Sequence, residues 1–142
     1  MAGERAISGH RSTPHTADIR IEAWAPNRED CLAHAILAMV ESFTAAPPGT
    51  PTTVRDVFIV AGTAEDELAA ALDEVIYQMD VRHEIPLDVR VRRVPSGLVL
   101  RLAMADTAAL TQTGAVPKAT SLHELAFTKT PRGWSCAATL DV

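Results

Sequence analysis

Asp18–Ala25 reads DIRIEAWA, and its strict alternation decides the first element of the fold. Ile19, Ile21 and Ala23 fall on one side of this stretch, and mostly polar residues fall on the other. A period of two is typical of a β-strand with one buried face. Because proline lacks the amide that a strand needs, Pro26 ends the strand.

An amphipathic helix follows this strand. Asn27 can cap it, because its side-chain oxygen can accept a hydrogen bond from an amide of the first turn. The apolar stripe, at steps of three and four residues, comprises Leu32, Ala35, Ile36, Met39, Val40 and Phe43. A second amphipathic helix begins at Thr63 and continues to about Asp80, with Asp73 and Glu74 on its polar face.

The rest of the chain predicts strands. Their predicted positions are Thr53–Val60, a hairpin of Leu87–Arg92 and Leu98–Met104, an extended run from Lys118 to Lys129, and a last strand from Trp134. A long connection, Asp106–Pro117, separates the hairpin from the extended run. Six strands and two helices in this order predict an α+β fold, a mostly antiparallel sheet with both helices packed on one face.

Chain length and composition indicate one domain. The 142 residues are 47% apolar and 22% charged, which is ordinary for one globular domain. Met1–Thr13 is polar and without period, so we expect a mobile tail followed by a domain over residues 14–142. Cys31 and Cys136 lack the spacing of a zinc site, and we expect both to be small buried residues.

The charge of the chain disfavours some functions. A formal net charge of −5 gives no basic field that would gather nucleic acid. No apolar run is long enough to span a membrane, and the first residues do not look like a signal peptide, so we expect a cytoplasmic protein without a membrane partner. Phosphate-binding glycine loops, zinc-protease motifs and nucleophile elbows are absent from the sequence.

Two places in the sequence could bind a cation. His15-Thr16-Ala17-Asp18 opens the first predicted strand, where an imidazole and a carboxylate suit a metal or phosphate site; a solvated strand end is the alternative. Asp141 and Val142 place a side-chain carboxylate beside the carboxylate of the last residue, and two adjacent anions favour a cation between them. A frayed acidic end is the alternative for this pair.

Two further clusters carry polar groups. In the run from Lys118 to His123, alternation puts Lys118 on one face and His123 on the other with apolar neighbours, so His123 is more simply a core histidine than a ligand. Asp73 and Tyr77 lie one helical turn apart and could form a local pair, although a solvated helix face explains them equally well.

Four motifs in this order resemble the archease family across almost the whole chain, from Pro14 to Val142. They are His-Thr-Ala-Asp at 15–18, Ala-Leu-Asp-Glu-Val-Ile-Tyr at 71–77, Lys-Ala-Thr-Ser-Leu-His at 118–123 and Asp-Val at 141–142. Archeases are small cytoplasmic α+β proteins that assist a GTP-dependent RNA ligase in tRNA splicing and RNA repair. They stimulate its guanylylation and multiple turnover and are not themselves ligases, so the resemblance implies an accessory protein that is not an enzyme.

The resemblance implies a divalent-cation site formed by Asp18, Asp141 and an oxygen of Val142. Ca²⁺ is the expected ion, with Mg²⁺ or Mn²⁺ as alternatives. The first and last predicted strands must then meet at one end of the sheet, with the two carboxylates close enough to share an ion. His15, Glu74, Lys118 and His123 are the expected residues of a functional surface for the ligase, and tRNA or RNA is contacted only indirectly.

The sequence also departs from the family pattern. Residues 71–74 read Ala-Leu-Asp-Glu where the family usually has Trp-Leu-Asn-Glu, residues 105–112 contain no histidine, and Leu122 stands where a tyrosine is usual. The leading hypothesis is an accessory protein that activates an RNA ligase. The alternatives are a chaperone-like or protein-binding module that keeps the metal site but has no ligase partner, and a metal-dependent phosphohydrolase.

Overall fold

The computed structural model describes residues 6–14, 18–45 and 51–142. Within these residues the chain forms two helices, α1 (Arg28–Glu41) and α2 (Ala64–Arg82). The strands are β1 (Gly9–Pro14), β2 (Asp18–Ala25), β3 (Thr44–Ala45), β4 (Thr53–Val60), β5 (Glu84–Val94), β6 (Gly97–Asp106), β7 (Thr111–Gln112), β8 (Ala119–Thr130) and β9 (Gly133–Asp141). The α+β fold predicted from the sequence is confirmed.

In the described part of the chain, the strands form three antiparallel sheets rather than one. A four-stranded sheet has the order β1-β2-β9-β8, a three-stranded sheet has the order β4-β6-β5, and β3 pairs with β7. Helix α1 contacts β2 and β5, and α2 contacts β8 and β5, so each helix touches both larger sheets. The core lies where the helices meet the sheets, and β2 contributes Ile19, Ile21, Ala23 and Ala25 to it, as the alternation predicted.

The helix starts match the sequence prediction. The Asn27 side chain accepts a hydrogen bond from the amide of Asp30 at 2.8 Å, and Thr63 accepts one from the amide of Asp66 at 3.1 Å. Each bond satisfies an amide that the helix leaves without a partner. Helix α2 ends at Arg82, two residues beyond the predicted end, because His83 adopts the left-handed conformation that closes it.

The start of the chain differs from the prediction. The expectation of a mobile tail is wrong for residues 9–13, because Gly9–Pro14 forms β1 and pairs along its length with β2. Residues 1–5 of that tail lie outside the described residues. Strand β1 is an edge strand with largely exposed side chains, so it has no apolar periodicity that the sequence could reveal. The connection 106–117 also contains structure, a 3₁₀ turn at Thr107–Ala109 and strand β7.

Strand β8 contains an irregularity that the sequence did not predict. Its pairing with β9 shifts between Ser121 and Ala126, and Glu124 has a φ of 59°. The expectation that His123 is a core residue is therefore wrong, since this bulge breaks the alternation and leaves His123 exposed. Leu122 is 77% exposed for the same reason.

A buried carboxylate of α2, that of Glu67, lies near the end of β2 and β9 that is closest to α1. Glu67 is 1% exposed. It accepts two hydrogen bonds of 3.0 Å from Arg93 and one of 2.5 Å from Arg28. Arg28 also lies over the Trp134 ring. Burial alone would raise the pKa of Glu67, but the hydrogen bonds from Arg93 and Gly62 and the charge of Arg28 outweigh it and hold the pKa below its usual value.

The cysteines are buried, as expected. Cys31 of α1 and Cys136 of β9 are 0% and 3% exposed, and their sulfur atoms lie 3.5 Å apart as free thiols.

Neither helix of the described residues is long and apolar enough to cross a membrane.

Candidate functional site

The candidate cation site lies at the end of the four-stranded sheet opposite Glu67. Asp18 is the first residue of β2 and is paired directly with Asp141, the last residue of β9. Directly opposed residues of antiparallel strands point to the same face, with Cβ atoms about 5 Å apart. The prediction that the strands carrying Asp18 and Asp141 meet at one end of the sheet is confirmed.

The surroundings of the two carboxylates are open to solvent. Asp141 is exposed, Asp18 is partly exposed, and Val142 packs partly against the core. Within the described residues, neither carboxylate forms an ion pair, so nothing there offsets their mutual repulsion. The main chain at Asp141 also pairs beyond β8, since the amide of Lys118 donates a 2.7 Å hydrogen bond to the Asp141 carbonyl oxygen.

A third carboxylate approaches the same sheet end from α2. Asp73 Oδ1 accepts a hydrogen bond of 3.3 Å from the amide of Thr120, whose neighbour Ala119 pairs with Asp141. The sequence predicted for Asp73 only a place on the polar face of its own helix, near Tyr77. The packing of α2 against β8 links Asp73 to this end of the sheet, and no local pattern in the sequence signals that contact.

A buried hydroxyl group lies at the same place. The Thr120 Oγ1 atom is inaccessible to solvent and has no hydrogen-bond partner in the part of the chain that the structure describes. A buried oxygen without a donor is unfavourable by roughly 1–3 kcal/mol. Thr120 pairs with Leu140, so this unsatisfied oxygen lies on the buried face of the sheet, one residue along β8 from the Ala119–Asp141 pair.

The other predicted site residues are placed differently. Lys118 is exposed and joins the site through its amide, whereas Glu74, partly buried, accepts a 2.9 Å hydrogen bond from Gln78 of its own helix. His123 is exposed on the β8 bulge. His15 lies outside the described residues.

A cleft opens next to Lys118. Its volume is about 540 Å³, within the size range of small-molecule sites. Its walls come from α2, β5, β7 and the segment before β8, and Asp80, His83, Gln112 and Lys118 are its most polar lining residues. No pattern in the sequence predicts this cleft, because its lining comes from segments that are far apart in sequence.

The donor set fits a hard cation only in part. Carboxylate and main-chain oxygens are the ligands that Ca²⁺ and Mg²⁺ prefer. In the described residues, however, no three side chains of His, Cys, Asp or Glu are grouped closely enough to hold an ion. Two carboxylates and one main-chain oxygen would leave most coordination positions to water.

The fold and this sheet end together define a class of protein. Its members are small α+β proteins with two helices and with acidic residues at the sheet end where two paired strands meet, as Asp18 and Asp141 do here. The family model "Archease protein family (MTH1598/TM1083)" matches residues 10–142. This chain belongs to the archease family, and the resemblance inferred from its motifs is confirmed.

Individual relatives agree with this assignment. The chain is 49% identical over 135 residues to "Probable protein archease" of Mycobacterium tuberculosis, an alignment that covers 95% of this chain and 75% of the relative. It is 27% identical to "Protein archease" of Methanosarcina barkeri, over 90% of this chain and 92% of the relative.

Solved structures share the fold. The solution structure of Methanobacterium thermoautotrophicum protein 1598 superposes with a TM-score of 0.76 at 22% identity, covering 94% of this chain and 99% of that one. A Thermotoga maritima crystal structure, described as an archease and possible chaperone, gives a TM-score of 0.66 at 20% identity and covers 92% of this chain and 96% of that one.

Proposed function

We propose that this archease is an accessory protein that activates a GTP-dependent RNA ligase in tRNA splicing or RNA repair, and that it does so through a divalent-cation site. The observation that carries the proposal is the direct pairing of Asp18 with Asp141 at one end of the sheet. Family membership supports the RNA-ligase role, and the acidic sheet end supports the cation.

The proposed ligands are the carboxylates of Asp18 and Asp141 and a main-chain oxygen of Val142. A divalent ion between the two carboxylates offsets their repulsion, and water completes the coordination. Ca²⁺ fits such an irregular oxygen set best, because Mg²⁺ demands a stricter octahedron; Mn²⁺ is the other alternative. Few protein ligands and an open position imply weak binding and an ion that can still meet a phosphate oxygen.

The docking surface is proposed around the same sheet end. Lys118 is exposed beside Asp141, and Asp73 reaches this end from α2. Glu74, His123 and His15 are the remaining proposed surface residues. With a net charge of −5 the protein offers little attraction for RNA, so its partner is the ligase and its contact with RNA is indirect.

A ligation assay tests the activator role. The host's ligase is mixed with GTP, Mn²⁺ and RNA ends, with and without this protein, and turnover is measured. We expect stimulation by the wild-type chain and at least a tenfold loss of it for Asp18→Asn and Asp141→Asn, because removing a charged ligand weakens an oxygen site by more than ~1.4 kcal/mol. Asp88→Asn, an exposed aspartate on β5, is the matched control and keeps full stimulation.

Calorimetric titration with CaCl₂ tests the cation separately. We expect binding by the wild-type chain and by Asp88→Asn, and none in the same concentration range by Asp141→Asn or by a chain cut after Leu140. Equal Ca²⁺ binding by all four proteins contradicts the ligand assignment. Stimulation that survives in Asp18→Asn and Asp141→Asn separates the ligase role from the metal.

A second candidate function is a chaperone-like or protein-binding module without a ligase partner. The segment that departs from the family pattern, residues 105–112, favours it, because the histidine that is usual there is absent. The description of the Thermotoga maritima relative as a possible chaperone also agrees with it. Affinity capture with the wild-type chain decides: recovery of the ligase supports the first proposal, and recovery of other proteins without the ligase supports the second.

A further inference from the structure

Two histidines from different elements face each other on the opposite side of β2 from β9. His10 of β1 and His34 of α1 place their Nδ1 atoms 2.8 Å apart, with ring centroids separated by 5.1 Å. Two imidazole nitrogens can form a hydrogen bond only when one carries a proton and the other has a free lone pair. The contact therefore requires one shared proton.

Glu41 sets which histidine donates. His10 Nε2 lies 3.0 Å from both carboxylate oxygens of Glu41, so it donates its proton to this carboxylate. A neutral His10 then has a lone pair on Nδ1, and His34 supplies the shared proton. One added proton leaves a single hydrogen between the rings, but a second gives both Nδ1 atoms a hydrogen, and the hydrogen bond is replaced by repulsion.

Some of the surrounding groups favour protonation of His34 and others oppose it. Asp30 and Glu41, on α1 with His34, favour its protonation. On the β5 side, Asp30 lines a groove together with Asp88, Arg90 and Arg92. On the β2 side, the charge of Glu22 is paired with Arg11 of β1 at 3.0 Å. Burial, followed by the charge of His10, lowers the pKa of His34 despite these carboxylates.

We propose that His10 and His34 form a pH-sensitive latch, which holds β1 against α1 while the rings share one proton and opens when each ring carries its own. The latch lies on an edge strand whose opening is local. Among the described residues, strand β1 pairs with β2 alone, and the hydrogen bond from Trp24 Nε1 to the Ala6 carbonyl oxygen holds the chain just before it. Edge segments with few buried contacts open at low free-energy cost.

The sign of the pH effect follows from proton binding. A histidine whose pKa is lower in the folded state binds fewer protons there than in the unfolded chain, so acid favours the open state. The ordinary pKa of histidine is about 6.5. The latch is closed at pH values above it and opens as the pH falls below it. Acidification in this range loosens β1 before it affects the rest of the sheet.

Hydrogen–deuterium exchange of the full chain at pH 7.5 and pH 5.5, corrected for intrinsic exchange rates, tests the latch. We expect protection of amides 9–13 to fall about tenfold at pH 5.5, which corresponds to ~1.4 kcal/mol, while protection of β9 stays constant. His34→Gln should abolish the pH response, because an amide side chain can either donate to or accept from His10 at any pH. His83→Asn, at a left-handed position that asparagine tolerates, is the matched control and keeps the response of the wild type.

Two results overturn the proposal. One is equal protection of β1 at both pH values in the wild type, and the other is an unchanged pH response in His34→Gln. Ring-nitrogen NMR titration of the wild-type chain gives a check that needs no variant. The latch requires the His34 ring to titrate below the ordinary histidine pKa, and titration of His34 at its ordinary value contradicts it.

Discussion

The two ends of the β2–β9 strand pair treat carboxylates in opposite ways. At the end nearest α1, Glu67 is 1% exposed and is bound by Arg28 and Arg93. At the other end, Asp18 and Asp141 are paired directly, are accessible to solvent and form no ion pair among the described residues. A buried carboxylate must be compensated for the protein to fold, whereas an exposed pair can remain uncompensated until a cation arrives.

This difference separates stability from function within one sheet. The Glu67 network ties α2 to Arg28 at the start of α1 and to Arg93 near the end of β5. The Asp18–Asp141 pair contributes no attraction to the fold by itself. We therefore expect substitutions at the first end to change the free energy of unfolding strongly, and substitutions at the second end to change ligand binding instead.

The largest effect is expected from Glu67→Gln. It removes the buried carboxylate shared by Arg28, which is partly exposed, and Arg93, which keeps its ion pair with Glu29. Loss of one member of a buried charge network typically destabilises by about 3 kcal/mol. Chemical denaturation measures the free energy of unfolding. Asp56→Asn, which removes a carboxylate from the exposed pair with Arg101 at 3.9 Å, is the control and should cost several-fold less. Equal losses in both variants would show that the buried network has no special role.

The pH dependence of stability sharpens the same point. Because the pKa of Glu67 is lowered in the folded state, its contribution is complete above the unfolded value of 4.5 and is lost as the pH falls through the lower folded pKa. The stability difference between the wild type and Glu67→Gln should therefore be largest near neutral pH and shrink below pH 4.5. Denaturation curves at a series of pH values measure it, and a difference that grows in acid contradicts the assignment.

The smallest effect is expected from Asp141→Asn in the presence of a chelator. It removes the repulsion from Asp18, so the variant should be slightly more stable than the wild type, by about 0.5 kcal/mol. Addition of Ca²⁺ should raise the melting temperature of the wild type and leave the variant unchanged, since only a bound ligand stabilises the folded state by mass action. A variant that is less stable than the wild type in chelator would mean that Asp141 is needed for the fold.

The sequence predicted what depends on neighbours along the chain. Alternation in Asp18–Ala25 and the stripes of both helices reflect a buried face, and Asn27 and Thr63 cap their own first turns, so these features needed only local spacing. The motif order also predicted the family, and the family implied that Asp18 and Asp141 belong together.

Tertiary structure decided everything that depends on pairing between distant segments. Strand β1 is held by β2 and α1, the bulge in β8 turns His123 outward, and Asp73 reaches Thr120 from another element. The division into separate sheets and the contact between His10 and His34 have the same origin. No period or cap in the sequence records such contacts, because their free energy comes from surfaces that meet only when the chain has folded.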